Sequence, residues 1–276
     1  MSSYLRTAHL LPELDRLLLD VLDNLSTDDW NRQTIARLWT IKDVAAHLLD
    51  GNLRVLSGLR DNYPGDPPGA LSSYQDLVGY LNRLNADWVQ AMRRVSPRVL
   101  VWLLRGSGTP FCQYYASLDP FAPAKWPVAW AGESQSLNWM HIAREYTEKF
   151  LHQQQIRHAL NDDSLVHSGL YNTFLEVCVF GLPFALKDRN AEEGTVLYFT
   201  VAGSTGRTWS VQRTNGSWHL IDSLENEPRA QVIIPADIAW ILFSKSRRPE
   251  DFKDQIVLKG DIDLAQSAVG MVSFMA

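Results

Sequence analysis

The stretch that most constrains this chain is 139–160, WMHIAREYTEKFLHQQQIRHAL. It has no Pro or Gly and is rich in strong helix formers, so it predicts one helix of about six turns at 3.6 residues per turn. At about 100° per residue, His141, Glu145, Glu148 and His152 fall on one narrow stripe. Ile142 and Leu151 flank that stripe, as expected if its side chains point into the protein, while Lys149 and Gln153 mark an expected wet side. Side chains at i and i+4 stand about 6 Å apart, so Glu148 and His152 can close on one ion. A Glu-x3-His pair is common on solvated helices, and a metal site needs a third ligand from elsewhere.

Composition narrows the class. With 276 residues and 46% hydrophobic content, the chain is long enough for one or two globular domains. A net charge of -5 argues against nucleic acid, because no basic cluster exceeds SKSRR around Arg247. Two cysteines, Cys112 and Cys178, are too few for a disulfide framework and fit a reducing cytoplasm. Charges run through the first apolar stretch, unlike a signal peptide, and no apolar run reaches the ~18 residues of a membrane span. The expectation is a cytoplasmic protein that binds neither membrane nor nucleic acid.

In chain order, residues 5–25 read as an amphipathic helix. Thr40 with Asp43 has the form of a capping pair and predicts a helix from Ile41, with His47 on its apolar stripe. A lone His on such a stripe is usually a satisfied core residue. Residues 62–72 read as a Pro/Gly loop, and Ser73 with Asp76 caps a third helix, 74–95, with Leu77, Leu81, Leu84, Trp88 and Met92 inward. Residues 98–104 read as a helical turn or two, or a strand, and 105–133 as an irregular aromatic stretch, a candidate lid or pocket wall. A polar linker at 161–168 separates an expected first domain, 1–163, from a second, 164–276. The second opens with a helix over 169–187. Strands follow at 195–201, 208–213, 218–222 and 230–234, with Asn215-Gly216 as a hairpin turn. A helix from Pro235 to Phe243, a strand in IVLKGD and a helix over 264–274 close an α+β domain.

A helical first domain carrying His47, Glu148 and His152 supplies three metal ligands. Two imidazoles and one carboxylate suit Zn(II) with an open position, and also admit Fe(II), Ni(II) or Mn(II). His141 stands about 10 Å along the helix axis from Glu148, too far to share the ion easily.

The segment 39–48, WTIKDVAAHL, resembles the Trp-Thr-x-x-Asp-Val-x-x-His-Leu signature of the mycothiol-dependent maleylpyruvate isomerases, within the wider DinB/YfiT-like bundle superfamily. Glu148-x3-His152 resembles that family's second ligand block, and LKGDIDLA at 258–265 is similar to its sterol-carrier-protein-like C-terminal domain. The resemblance implies an N-terminal DinB-like four-helix bundle followed by a small α+β domain. It departs from the pattern at Gln155, where many relatives have Asp, and in SKSRR, which lacks an expected Gly-Arg.

What the resemblance implies is a metal-dependent isomerase or S-transferase. In it a divalent ion makes a low-molecular-weight thiol such as mycothiol available as thiolate, to attack a small electrophilic substrate in a pocket between bundle and C-terminal domain. Arg54 and Arg247 or Arg248 are candidate partners for a substrate carboxylate. Two alternatives remain: a metal-dependent hydrolase with Glu145 as general base, and a non-catalytic small-molecule binding protein. Monomer and homodimer are equally open.

Overall fold

The computed structural model describes residues 4–63, 65–69 and 72–274, so positions 64, 70 and 71 of the expected loop and both chain ends lie outside the described residues. The first half is helical: α1 (Leu11–Asp23), α2 (Ile41–Val55), α3 (Tyr74–Met92), α4 (Pro97–Ser117) and α5 (Asn138–Ala159). α1, α2, α4 and α5 pack into a bundle. α3 docks on α2 through buried Val89 and Met92, and Trp88 donates from its indole to the Ala46 carbonyl at 2.8 Å. Leu77, Leu81 and Leu84 are only half-buried.

α2 begins where its capping pair puts it. The Asp43 N–H donates to Thr40 Oγ1 at 3.3 Å and the Thr40 N–H to Asp43 Oδ2 at 3.0 Å, so two otherwise unpaired donors are satisfied reciprocally. Beyond Val55 the helix widens into a π turn over Leu56–Arg60.

α4 corrects the reading of 105–133 as irregular. Gly106, Gly108 and Pro110 are all poor in helix interiors, yet the helix runs through them to Ser117. Its buried face, Leu100, Leu104, Ser107, Phe111 and Tyr115, recurs at helical spacing, and that packing overrides the local propensity. Residues 118–133 are irregular apart from a 3₁₀ turn over Ala129–Ala131.

α5 runs through the middle of the molecule and is enclosed along most of its surface. Lys149, Gln153, Gln154, Gln155 and Arg157 are buried, contrary to the expectation for Lys149 and Gln153. Gln153 donates to the Leu14 carbonyl of α1 at 3.0 Å, and Arg157 to the Leu17 carbonyl at 3.2 Å. On the apolar side, Phe150 stacks on Phe174 and Tyr171, with ring centroids 4.5 and 5.6 Å apart.

Those two aromatics belong to α6 (Gly169–Cys178), which a 3₁₀ turn joins to α7 (Leu182–Ala185) around Pro183. The single helix expected over 169–187 is thus broken where Pro removes a backbone donor. β1 (Val196–Ala202), β2 (Arg207–Thr214), β3 (Ser217–Ile221), β4 (Ala230–Pro235) and β5 (Val257–Gly260) form a mixed sheet in the order β3-β2-β1-β4-β5. β1 and β4 are parallel and the other pairs antiparallel. Asn215 and Gly216 both take positive φ, 53° and 74°, as the two-residue turn between β2 and β3 requires. α8 (Ala236–Phe243) and α9 (Ile262–Val269) pack on the sheet, α9 stopping at Gly270 rather than at 274. The fold is therefore helical bundle plus α+β. One apolar core runs from Leu14, Phe111 and Phe150 through Phe174 to Phe199 and Val232, crossing position 163 without a break. No helix among the described residues is long and apolar enough to cross a membrane.

Thr40→Ala removes the side-chain half of the α2 cap and is expected to cost about 1 kcal/mol in urea denaturation, with Thr40→Ser close to wild type. Equal stability of the Ala variant would mean that the cap contributes nothing.

Candidate metal centre

Three polar side chains meet where α2 faces α5. His47 lies in the second turn of α2, its ring 4.8 Å centroid to centroid from Trp39, just before the cap. Glu148 and His152 lie one turn apart on α5, with His152 Nε2 3.3 Å from Glu148 Oε2. The two imidazoles meet edge to face at 4.6 Å and 75°. One donor atom from each of His47, Glu148 and His152 can be chosen so that all lie within 4.8 Å of one another.

The protonation states suit ligation. Burial pulls His47 well below the usual imidazole range, and the nearby His152, Arg54 and Lys149 push the same way, so the ring is neutral. Its Nδ1 is buried with no hydrogen-bond partner. His152 Nδ1 lies 2.9 Å from Gln155 Oε1, so it carries the proton and leaves the Nε2 lone pair on the side of Glu148. Glu148 keeps a third of its side-chain surface accessible, which opens the cluster to solvent. Two imidazoles, one of them with an orphaned buried nitrogen, and one carboxylate fit a divalent cation.

Glu145 and His141 lie further toward the start of α5 and form a separate cluster. Arg144 Nη2 donates to Glu145 Oε1 at 2.6 Å and to His141 Nε2 at 2.9 Å. Burial alone would raise Glu145, but the Arg144 guanidinium and His141 outweigh it and hold the carboxyl well below its usual range. A carboxylate so paired is a poor proton acceptor, which counts against Glu145 as a general base.

Of the arginines singled out in the sequence, Arg54 lies beside the triad. It is paired at 3.5 Å with Asp50, nearly one helical turn after His47, and its charge reaches His47. Arg247 and Arg248 are exposed in the loop after α8. Burial lowers His158, and Arg247 adds to that effect; His158 stands about 9 Å along α5 beyond His152. The structure does not bring these two arginines to the triad. The α5 residues that meet α6, Tyr146 and Phe150, lie on the other side of the helix from Glu148 and His152. Two surface clefts of about 420 and 410 Å³ along α1 include no triad residue.

Sequence reasoning missed Arg144 and Lys149 as parts of this region, and noted Gln155 only as a departure from the family pattern. Arg144 and Gln155 share the stripe of Glu148 and His152 at helical spacing, a signal present in the sequence. Lys149 had no such signal, since only its apolar neighbours Phe150 and Leu151 hint at burial.

The crystal structure of the mycothiol-dependent maleylpyruvate isomerase aligns at TM-score 0.55 and 9% identity, covering 91% of each chain. A crystal structure of a histidine-to-alanine mutant of that enzyme aligns at TM-score 0.54 and 10% identity, with the same coverage of 91% on both sides. These likenesses show a shared fold across bundle and sheet. A ubiquinone synthesis protein, UbiJ-SCP2, aligns to 37% of the chain at TM-score 0.27, too loosely to bear on the C-terminal half. No curated protein matches the chain. The family model described as mycothiol maleylpyruvate isomerase N-terminal domain matches residues 11–157, which hold His47, Glu148 and His152. That match spans more than half of the sequence, and the chain belongs to the mycothiol maleylpyruvate isomerase family.

Proposed function

We propose that this protein is a metal- and thiol-dependent isomerase or S-transferase acting on a small electrophilic substrate. The observation that carries the reading is the convergence of His47, Glu148 and His152 to within 4.8 Å, in a chain of this family. These three residues would hold one divalent ion, zinc suiting the donor set best and nickel, iron or manganese being compatible. When bound, such an ion lowers the pKa of a small thiol, mycothiol by analogy with the family's namesake, so that thiolate is available at neutral pH.

The chain's own residues prepare that chemistry. Gln155 holds His152 in the tautomer that offers Nε2, and Trp39 covers His47. Arg54, partly exposed beside Asp50, can offer a guanidinium edge to a substrate carboxylate, and is favoured over Arg247 by its position. Neither cysteine is suited to be the nucleophile: burial pushes the Cys112 thiol up to about 11 and Cys178 well above its usual range. The hydrolase alternative is less favoured, since its candidate base, Glu145, is held by Arg144 and His141.

Elemental analysis should find one divalent ion per chain in the wild type and none in His47→Ala or His152→Ala. Full occupancy in either variant would remove the site. Calorimetric titration of metal-loaded protein with mycothiol should show binding that releases a proton and strengthens with pH until the free thiol, pKa ~8.5, is itself ionised. Cys112→Ser with Cys178→Ser should bind equally well. If mycothiol, bacillithiol and glutathione all fail to bind, the thiol-dependent reading falls.

A further inference from the structure

Beneath the triad, all four bundle helices send a polar group to one buried node. Lys149 of α5 donates from Nζ to Asn52 Oδ1 of α2. Asn52 Nδ2 donates to Ser107 Oγ of α4 at 3.0 Å, and that hydroxyl donates onward to the Leu103 carbonyl at 2.9 Å. Asn52 is 0% exposed and Lys149 8%, and the ammonium stands 4.5 Å from the centroid of Phe111. From α1, the Asp15 carboxylate fills the space that Gly108 of α4 leaves open: a Cβ there would meet Asp15 Oδ2 at 2.2 Å.

A buried ammonium is a poor way to stabilise a bundle, because an apolar side chain of similar volume is often as stable or more so. What this one does is join two particular helices. Lys149 follows Glu148 in the chain, and Asn52 lies five residues after His47. Asn52 meets Lys149 as His47 meets His152, so numbering rises along α2 as it falls along α5 and the two helices run antiparallel. Apolar packing between helices tolerates small slips, whereas a chain of hydrogen bonds across three helices admits one register.

We propose that the Lys149–Asn52–Ser107 chain, with Asp15 behind it, sets the register of α2 against α5 and thereby positions His47 over Glu148 and His152. The proposal rests on reading those three as metal ligands, and makes Lys149 and Asn52 positioning residues.

The test is titration of the full-length, metal-free protein with Co(II), read by visible absorption, beside the thermal midpoint of the metal-free form. Lys149→Met should raise the Co(II) Kd about tenfold or more and alter the d–d bands; because it leaves Asn52 Oδ1 and Asp15 without their partner, the thermal midpoint should fall as well. Leu22→Ala, a cavity elsewhere in the bundle core, should lower the midpoint and leave Kd and bands unchanged. Wild-type Kd and bands in Lys149→Met overturn the proposal, as does an equal loss of affinity in Leu22→Ala. If Lys149→Met does not fold, Ser107→Ala, which removes only the far end of the chain, should still raise Kd, and an unchanged value overturns the proposal. A wild type that binds no Co(II) overturns the metal reading itself, before any variant is compared.

Discussion

Enclosing most of α5 leaves many of its polar side chains away from water, where they need partners within the protein. Gln153 and Arg157 find backbone carbonyls on α1, and Lys149 finds Asn52 on α2. Arg144, Glu145 and His141 satisfy one another. The position of every neighbouring helix is thereby tied to a particular residue of α5. Within the triad, His47 Nδ1 is buried and has no partner.

The triad's chemistry follows from that arrangement. Burial keeps His47 neutral, Gln155 fixes the proton of His152 on Nδ1, and the partly exposed Glu148 supplies charge at the solvent edge. Each of these is what a divalent ion requires of its ligands: a lone pair on each imidazole, an ionised carboxylate and access from solvent. Gln155 stands where the resemblance led one to expect Asp, and its amide oxygen provides the same acceptor without adding a negative charge.

Much of this was readable in the sequence because it rests on short-range rules. The capping pair Thr40–Asp43 marked the start of α2 and hence the turn that carries His47. Helical periodicity put Glu148 and His152 on one face, and Asn215-Gly216 marked the β2–β3 turn. The failures came where tertiary packing decides. Gly106, Gly108 and Pro110 hid the second half of α4, whose helix is maintained by its buried face and by the room Gly108 gives Asp15. Lys149 looked solvated because no local pattern reveals that its side of the helix will be enclosed. Arg247 is near the site in neither sequence nor space, and only the structure shows it beside His158 instead.

The most direct measurement is X-ray absorption at the zinc edge of the zinc-loaded, full-length protein, before and after addition of mycothiol. Ligation by His47, Glu148 and His152 should give only nitrogen and oxygen scatterers at about 2.0–2.2 Å, with one sulfur at about 2.3 Å appearing once the thiol is added. Sulfur in the thiol-free sample, or a spectrum that the thiol leaves unchanged, would contradict a three-residue site that presents its ion to a small thiol.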